Sequence, residues 1–380
     1  MMRRSLVALS IGCAVSVISS RSNAQGTLGA QGFGYPPGQL SVFSRSLGGA
    51  TGETDALSPI NPAALALMRR GGLYLQSEQE RRQLESGGQT GSMNIYRFPL
   101  FVAAVPIGSR GVLGVSYSTM LDRTWGTEIR GSTSFQGDTV SFTQSFQSEG
   151  ALNDVRFAGS WAIRDNLILG AAVHLFPGEN RLTMAREFDD SLTFAPLRDT
   201  STVNYWGYGY SGGLLWRPMR TLTIGASGRF GGRLDLREAD TLKAKAHAPS
   251  RFGAGVRWDL PGLTAAFRVD RTFWSDMDGL GSENANAKDA WDLGFGVDAV
   301  GPQLFGEHVT IRAGARRRTL PFLADSEQVH ETAFTLGTGA PFARGRAQVD
   351  FFVERASRTA SDIDATERSW TFGLGFTIRP

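Results

Sequence analysis

Few residues in this sequence have the types and spacing that catalysis or metal binding requires, and they are scattered. Ser211 lies in a Gly-Tyr-Ser-Gly-Gly run of the kind that surrounds a nucleophilic serine, but this run falls inside an alternating, strand-like segment. The four histidines show neither metal-ligand spacing nor an acid placed to make a catalytic pair: His174, His247, His308 and His330. We therefore expect no catalytic residue, no metal site and no cofactor, and a protein that is not an enzyme.

Charged residues at every second position of apolar segments are a second candidate for function. Opposite charges on one face of neighbouring strands can pair across a sheet. Only three of the 39 basic residues are lysine, and arginine suits bidentate pairing with carboxylates. The pattern predicts inward-facing charges that form either a structural lattice of ion pairs or a path for a substrate: Arg268, Asp270, Arg312, Arg316, Arg346 and Asp350, with Arg257, Asp259, Asp292, Asp298 and Glu354.

A short leader precedes the rest of the chain. Two arginines are followed by the apolar run 6–18, which is too short to span a membrane as a helix, and then by a small-residue cleavage site at 22–24. These features predict a secretory signal peptide at 1–24, with a lipoprotein signal ending at Cys13 as the alternative. The leader carries three arginines, so its removal lowers the formal net charge from +3 to 0, which argues against a nucleic-acid partner.

The strongest structural signal is a two-residue period, which is clearest at the end of the chain. From Trp370 to Ile378, large apolar residues alternate with small or polar ones, as suits a strand between lipid and a wet lumen. No later apolar stretch reaches the ~18 residues of a transmembrane helix. We predict 14 strands, near 72–80, 94–107, 111–122, 151–163, 166–177, 204–216, 220–232, 248–259, 262–274, 288–300, 308–319, 329–338, 344–356 and 367–378.

The connections between these strands alternate in length. Short turns such as 108–110 and 164–165 are followed by long polar connections such as 123–150 and 178–203, as expected of a barrel with periplasmic turns and extracellular loops. A soluble sandwich or propeller is the alternative, and it fits this order poorly. We therefore predict an all-β fold, a transmembrane antiparallel β-barrel of about 14 strands over 71–380. The 123–150 stretch is a candidate hairpin that extends beyond the membrane.

Residues 25–70 do not alternate, and they carry an Arg-x-x-Gly-Gly-Ala stretch, an acidic residue and then Asn-Pro-Ala. These positions are Arg45, Gly48, Gly49, Ala50, Asp55, Asn61, Pro62 and Ala63. A second set, at 249–276, consists of Pro249, Gly253, Gly255, Asp270, Trp274 and Ser275. The first set resembles the N-terminal pattern, and the second a hairpin, of the FadL/TodX family of outer-membrane transporters for long-chain fatty acids and other hydrophobic compounds.

The resemblance implies a barrel with the N-terminal segment 25–70 folded into its lumen as a plug. A 14-strand barrel is too wide for its own side chains to fill, and the glycines of the segment would let its backbone approach the wall. The alternative is a flexible periplasmic tail. On the resemblance we assign the plug and a lateral opening of the wall to Asn61, Pro62, Ala63, Gly48, Gly49 and Asp55.

The function that the resemblance implies is passive uptake of hydrophobic small molecules, such as long-chain fatty acids, across a bacterial outer membrane. The alternative is an outer-membrane scaffold or surface-secretion component of the same barrel type, without small-molecule transport. We expect a monomer that contacts outer-membrane lipid and a hydrophobic ligand. We also expect the barrel assembly machinery to act on it during biogenesis, and no nucleic acid to bind it.

Overall fold

The computed structural model describes residues 33–86, 89–135, 138–189, 194–280, 287–304, 307–324, 326–360 and 365–380. The predicted signal peptide lies outside this part of the chain. The helices are α1, Val42–Arg45, and two 3-10 helices, Pro62–Leu67 and Trp274–Leu280. The strands are β1 Gly72–Ser86, β2 Gln89–Ile107, β3 Gly111–Asp122, β4 Trp125–Phe135, β5 Asp138–Arg164, β6 Leu167–Leu175, β7 Gly178–Phe188, β8 Leu197–Met219, β9 Leu222–Glu238, β10 Thr241–His247, β11 Ser250–Leu260, β12 Leu263–Phe273, β13 Ala290–Leu304, β14 Glu307–Ala324, β15 Glu327–Phe342, β16 Ala347–Thr359 and β17 Ala365–Ile378.

Fourteen of these strands form the wall of a closed antiparallel barrel. Each wall strand pairs with the strand on either side, and β1 pairs with β17 to close the ring. The other three strands prolong the wall at one end, where β4 pairs with β5, β7 with β5 and β8, and β10 with β9. The predicted 14-strand barrel is confirmed, because every predicted segment falls on one of the wall strands.

Three of the long polar connections predicted as loops are largely strand. The 123–150 stretch, a candidate hairpin in the sequence, is a hairpin of β4 with the start of β5. The 178–203 stretch forms β7 and the start of β8, and 233–247 forms the end of β9 with β10. Most residues of β7 and β10 are at least partly exposed on both faces. Because neither face is buried, these strands lack the hydrophobic alternation by which strands are recognised in a sequence.

The two faces of the wall have opposite character. On β17, Trp370, Leu374 and Ile378 are 44–52% exposed, whereas Thr371 and Thr377 are at most 3% exposed. Large apolar groups therefore face outwards and small polar groups face inwards, the reverse of a water-soluble protein and the arrangement of a lipid-facing barrel wall. In the described ranges, no helix is long and apolar enough to cross a bilayer.

The wall has a discontinuity between β2 and β3. The backbone ladder between these strands ends at Leu100 and Ser118, and beyond that point β2 pairs only with β1 among the described residues. Pro99 lies at the break and lacks the N–H that a ladder requires. Beyond the break, the Arg97–Asp122 ion pair joins the two strands instead.

Residues 33–70 run through the interior of the barrel and touch its inner face on several sides. Most of them are buried. Glycines on nine wall strands make room for this segment, because a Cβ on any of them would come within 3.1 Å of one of its atoms. They are Gly114, Gly170, Gly213, Gly225, Gly253, Gly294, Gly296, Gly314, Gly337 and Gly375.

We expect Gly314→Val to loosen this segment, because a side chain there must displace the backbone of Leu47 and Gly48. Overpacking of this kind costs about 1–3 kcal/mol. In detergent, residues 33–70 should become more sensitive to protease while the barrel keeps its heat-modifiable migration. Gly212→Val is the matched control, since no atom lies nearer than 4.0 Å to its added Cβ. Equal protease sensitivity of both variants would contradict this account.

Candidate functional site

A continuous network of arginines and carboxylates fills one side of the barrel interior. Each member is at most 8% exposed. From β3 inwards, Asp122 binds Arg97, which also binds Glu80 at 2.7 Å. Two carboxylates each bind three guanidinium groups. Glu80 binds those of Arg82, Arg97 and Arg358 at 2.7–2.9 Å. Glu331 binds those of Arg316, Arg318 and Arg358 at 2.7–3.1 Å. We call this set, completed by Arg45, Glu78, Glu354 and Glu367, the interior ion network.

Tyr35 ties the start of the N-terminal segment into this network. Four guanidinium carbons, those of Arg82, Arg97, Arg318 and Arg358, lie 4.4–5.7 Å from the centre of its ring. Its hydroxyl accepts a hydrogen bond from Arg318 at 2.5 Å and donates one to Glu331 at 3.0 Å. Its backbone pairs with that of Asp122, next to the break in the wall. Cation–π and charge-assisted contacts of this kind are strong where water is excluded.

Arg45 and Glu53 fix the segment at two further places. Arg45 binds Glu354 at 2.9 Å and so joins the segment to β16. Glu53 binds Arg251 at 2.7 Å and accepts a hydrogen bond from Ser227 at 2.7 Å, which joins the segment to β11 and β9. Because a buried charge is stable only when it is paired, these contacts determine how the segment lies in the lumen.

Of the six inward-facing charges that head the predicted set, five lie buried in the barrel interior: Arg268, Asp270, Arg312, Arg316 and Asp350. Arg316 belongs to the interior ion network, while Arg268 binds Asp270 and Asp292 beside Glu53. Arg312 binds Asp350 at 2.6 Å, and its guanidinium carbon lies 4.6 Å from the centre of the Phe43 ring. The contacts are ion pairs, and the choice between a structural lattice and a substrate path stays a prediction.

Arg346 is a correction to this set. It was expected to face the lumen, but it lies exposed at the end of the turn that joins β15 to β16. The reason is the turn itself, in which Ala343, Arg344 and Gly345 have positive φ angles of 51–76°. Strand β16 begins only at Ala347, so the alternation cannot be extended back to Arg346.

Four of the six residues assigned to the plug and lateral opening contact the inner wall. Gly48, in a left-handed conformation with φ +63°, donates its N–H to Thr335 of β15. The Asn61 amide donates to the carbonyl of Leu214 on β8 at 3.0 Å. Pro62 and Ala63 follow Asn61 in the first turn of a 3-10 helix, against the inner face of Gly170.

Asp55 and Gly49 lie within the segment. Asp55 accepts hydrogen bonds from Ser41 and Ser58 at 2.5 and 2.6 Å. Burial raises the pKa of the Asp55 carboxyl above its ordinary range, although these hydrogen bonds act in the opposite direction. Gly49 has a positive φ of 80° next to the equally left-handed Gly48.

The Asn-Pro-Ala sequence does not meet the break in the wall. Asn61 and Ala63 lie against β6 and β8, whose mutual ladder runs unbroken from Leu167 to Leu175. The residue of the segment that meets the break between β2 and β3 is Tyr35. The link between Asn61, Pro62 and Ala63 and a wall opening stays a prediction, since these residues lie against a continuous part of the wall.

Several residues of the interior ion network were missed at the sequence level. Glu78, Glu80 and Arg82 alternate along β1 and fit the rule that predicted the inward charges of later strands, but only Arg82 lies beyond residue 80, where this strand was predicted to end. Tyr35 has no neighbouring sequence signal, because its partners lie on six distant strands.

Ser211, His174 and Asp154 form a hydrogen-bonded row on three adjacent wall strands. His174 Nδ1 lies 2.7 Å from Asp154 Oδ1, and His174 Nε2 lies 2.8 Å from Ser211 Oγ. This is the order of groups in a serine hydrolase. Ser211, however, sits in mid-strand with ladders on both sides, where backbone N–H groups are engaged and form no oxyanion hole. Asp154 also accepts a hydrogen bond from Gln39 at 2.8 Å, so the row joins the wall to the N-terminal segment.

Among the described residues, a cavity of about 70 Å³ lies beside the segment, next to Trp274 and four arginines: Arg229, Arg251, Arg268 and Arg318. The segment forms part of the cavity lining through Pro36, Gln39 and Ile60.

An apolar layer covers the polar interior at the end with the long hairpins. Phe33 packs edge-on against Trp274, with ring centres 6.0 Å apart. Buried apolar residues from the strands around the barrel, and from the connections next to them, form this layer. They include Met120, Leu152, Phe176, Leu234, Met277, Leu320, Phe322 and Val329. This end of the lumen therefore offers an apolar environment above the ion pairs.

These features define a class of protein, a closed 14-stranded antiparallel β-barrel, and residues of the N-terminal segment contact the inner face of its wall. Solved structures with this fold include a Pseudomonas aeruginosa FadL homologue, with a TM-score of 0.65 and 15% identity over 91% of this chain and 99% of that chain. The Pseudomonas putida toluene transporter TodX has a TM-score of 0.59 and 13% identity over 90% and 98% of the chains. The CymD monoaromatic hydrocarbon channel has a TM-score of 0.53 and 15% identity over 89% and 96%.

The chain has the fold of the FadL/TodX barrels, so the predicted resemblance is confirmed at the level of the fold. No protein-family model and no curated protein matches the sequence. Of the structural neighbours named above, one is described as a toluene transporter and one as a monoaromatic hydrocarbon channel.

We expect Arg358→Met to destabilise the barrel by about 3–5 kcal/mol, the usual cost of leaving buried carboxylates without a partner. Glu80, Glu331 and Glu367 each lose an ion pair in this variant. Arg368→Met is the control, because its pair with Glu85 is 47% and 45% exposed and should change the stability little. The measurement is the free energy of unfolding in micelles, followed by tryptophan fluorescence. Equal stability of the two variants would refute the structural importance of the network.

We expect a fluorophosphonate probe to leave Ser211 unlabelled in the folded protein, because the site lacks an oxyanion hole. Mass spectrometry of the treated protein is the measurement. Labelling of Ser211 that disappears in His174→Ala would instead demonstrate an activated nucleophile.

Proposed function

We propose that this protein is an outer-membrane channel for the passive uptake of hydrophobic small molecules. The observation that carries the proposal is the apolar layer around Trp274 and Phe33, which lies inside the barrel above a polar interior. A channel for polar solutes would not need such a layer at its mouth. The structural neighbours, which include a toluene transporter and a monoaromatic hydrocarbon channel, support the same class of ligand.

The path that we propose begins in the apolar layer and ends at the break in the wall. A molecule bound near Trp274 lies next to Phe33, and Tyr35 is two residues further along the same segment. Tyr35 in turn covers the break, where Phe98 of β2 is 78% exposed on the outside. Withdrawal of this part of the segment would connect the apolar layer to the membrane through the wall, so the molecule need not cross the charged interior.

Long-chain fatty acids are one proposed ligand within this class. Arg156 on β5 is 2% exposed and has no carboxylate within ion-pairing distance in the described structure. Its Nε donates to Ser116 at 3.3 Å, and its Nη1 has no hydrogen-bond partner. A fatty-acid carboxylate that reached Arg156 would supply the missing partner, whereas an aromatic hydrocarbon would not.

The remaining expectations belong to the same proposal. They are export by a signal peptide at 1–24, a monomeric barrel inserted by the barrel assembly machinery, and a plug formed by residues 25–70. The terminal strand β17 presents Phe376 and Ile378 at the end of an amphipathic pattern, which supports the assembly step. A scaffold or secretion role is the alternative, and it predicts a stable protein partner in place of a small-molecule ligand.

We expect removal of residues 25–70 to convert a nearly silent protein into an ion-conducting pore. Inward side chains alone leave a 14-strand lumen open, and many of those facing this segment are glycines. The measurement is conductance in planar bilayers, with heat-modifiable migration to verify folding. Equal conductance of the two proteins would mean that the segment does not close the barrel.

Uptake itself is tested in cells that lack the protein and cells that carry it, with radiolabelled oleate and toluene as probes. We expect faster uptake of at least one probe, and a selective loss of oleate uptake in Arg156→Met if fatty acids are the ligand. Glucose uptake should be unchanged. No difference for either probe would contradict the proposal.

A further inference from the structure

We propose that the short-turn end of the barrel binds an anionic phospholipid. The phosphate would lie at Arg69, Arg70 and Arg110, and the two acyl chains in a pair of apolar grooves on the outer face of the wall. The inference relies on the membrane location proposed above, but it concerns a different surface from the proposed path of the transported molecule.

Arginines are concentrated at the end of the barrel where the turns are short. The turns and adjoining strand ends there also carry three acidic residues, Asp165, Asp259 and Glu307, of which Asp259 binds Arg257 at 2.9 Å. None of the nine arginines forms an ion pair with a described residue, in contrast to nearly all of the arginines inside the barrel. They are Arg69, Arg70, Arg110, Arg164, Arg217, Arg220, Arg344, Arg346 and Arg379.

Unpaired cations at this level of a membrane barrel lie where lipid headgroups lie. Arginine forms strong bidentate hydrogen bonds with phosphate, and clusters of basic residues near a membrane surface attract anionic lipids. Seven of the nine arginines are exposed, and the other two, Arg217 and Arg379, are half-buried. The charge at this end is therefore available to a ligand.

Two grooves on the outer face of the wall reach this end at the same place. The larger has a volume of about 860 Å³ and runs between Leu73, Val105 and Phe157. The smaller has a volume of about 490 Å³ and runs beside Trp161 and Leu169. Both grooves are lined by Leu113 and Gly159, so they are neighbours.

The arginines stand at the ends of these grooves. Arg70 lines the larger groove directly. Arg69 and Arg110 line a small recess together with Gly111, and Gly111 also lines the smaller groove. Two adjacent apolar grooves that converge on three unpaired cations match the two acyl chains and single phosphate of a phospholipid. An acidic protein would use the charges but leave the grooves unexplained, so the structure favours lipid.

The test is native mass spectrometry of the purified full-length barrel in mild detergent. The probes are palmitoyl-oleoyl phosphatidylglycerol and, as the neutral-headgroup control, palmitoyl-oleoyl phosphatidylcholine. We expect at least fivefold more bound phosphatidylglycerol than phosphatidylcholine on the wild-type protein. The preference should vanish in the triple variant Arg69→Gln, Arg70→Gln, Arg110→Gln.

Two further variants separate the site from net charge and from folding. The triple variant Arg220→Gln, Arg344→Gln, Arg346→Gln removes the same charge from the same end, but none of its residues lines a groove, and it should keep the preference. Gly159→Leu fills both grooves and should reduce binding of both lipids, with heat-modifiable migration as the folding control.

Equal binding of the two lipids, equal loss in both arginine variants, or co-purification of an acidic protein that the first arginine variant loses would each overturn the proposal. Because lipid is counted without any transport assay, failure of this proposal is distinguishable from failure of the proposed channel function.

Discussion

A charge taken out of water must find a partner, and the arrangement of this barrel's interior depends on that constraint. An unpaired buried ion is costly, whereas a pair with good geometry roughly offsets its own desolvation. The N-terminal segment contributes Arg45 and Glu53, and the wall contributes their partners Glu354 and Arg251. Arg45 and Glu53 are paired only through the wall among the described residues, whereas Glu354 and Arg251 each have a second partner on the wall, Arg316 and Asp270. The position of the segment therefore follows from charge pairing, while the inward glycines only provide the space.

The same network explains how a tightly packed lumen is compatible with movement. Glu80 and Glu331 each bind three arginines. If Tyr35 leaves its place among them, these carboxylates keep wall partners and no charge is left alone. The segment is thus held by polar contacts that the wall can rearrange, beneath an apolar layer that suits a hydrophobic ligand. Small-molecule passage then requires displacement of part of the segment, without unfolding of the barrel.

The sequence was sufficient for the wall and insufficient for the contacts within it. Alternation revealed all 14 wall strands, because each has one apolar and one polar face. It missed β7 and β10, which are polar on both faces, and it misplaced Arg346, because a turn with positive φ angles makes strand β16 begin later than predicted. The inward charges were found by the same rule, but their partners were not, since pairing depends on which strands the closed barrel brings together. The row of Asp154, His174 and Ser211 was not predicted for the same reason, because its members lie on three separate strands.

The central claim is that residues 33–70 must move for a molecule to pass, and a reversible crosslink tests it directly. A Cβ on Gly375 would lie 3.1 Å from that of Val42, close to the ~3.5–4.5 Å of disulfides, and Cys13 in the predicted leader is the only cysteine of the sequence. The measurement is uptake of radiolabelled toluene and oleate by cells that carry Val42→Cys, Gly375→Cys, before and after dithiothreitol. The account predicts little uptake in the oxidised state and recovery on reduction. Equal uptake in both states, with the disulfide verified by mass spectrometry, would contradict it.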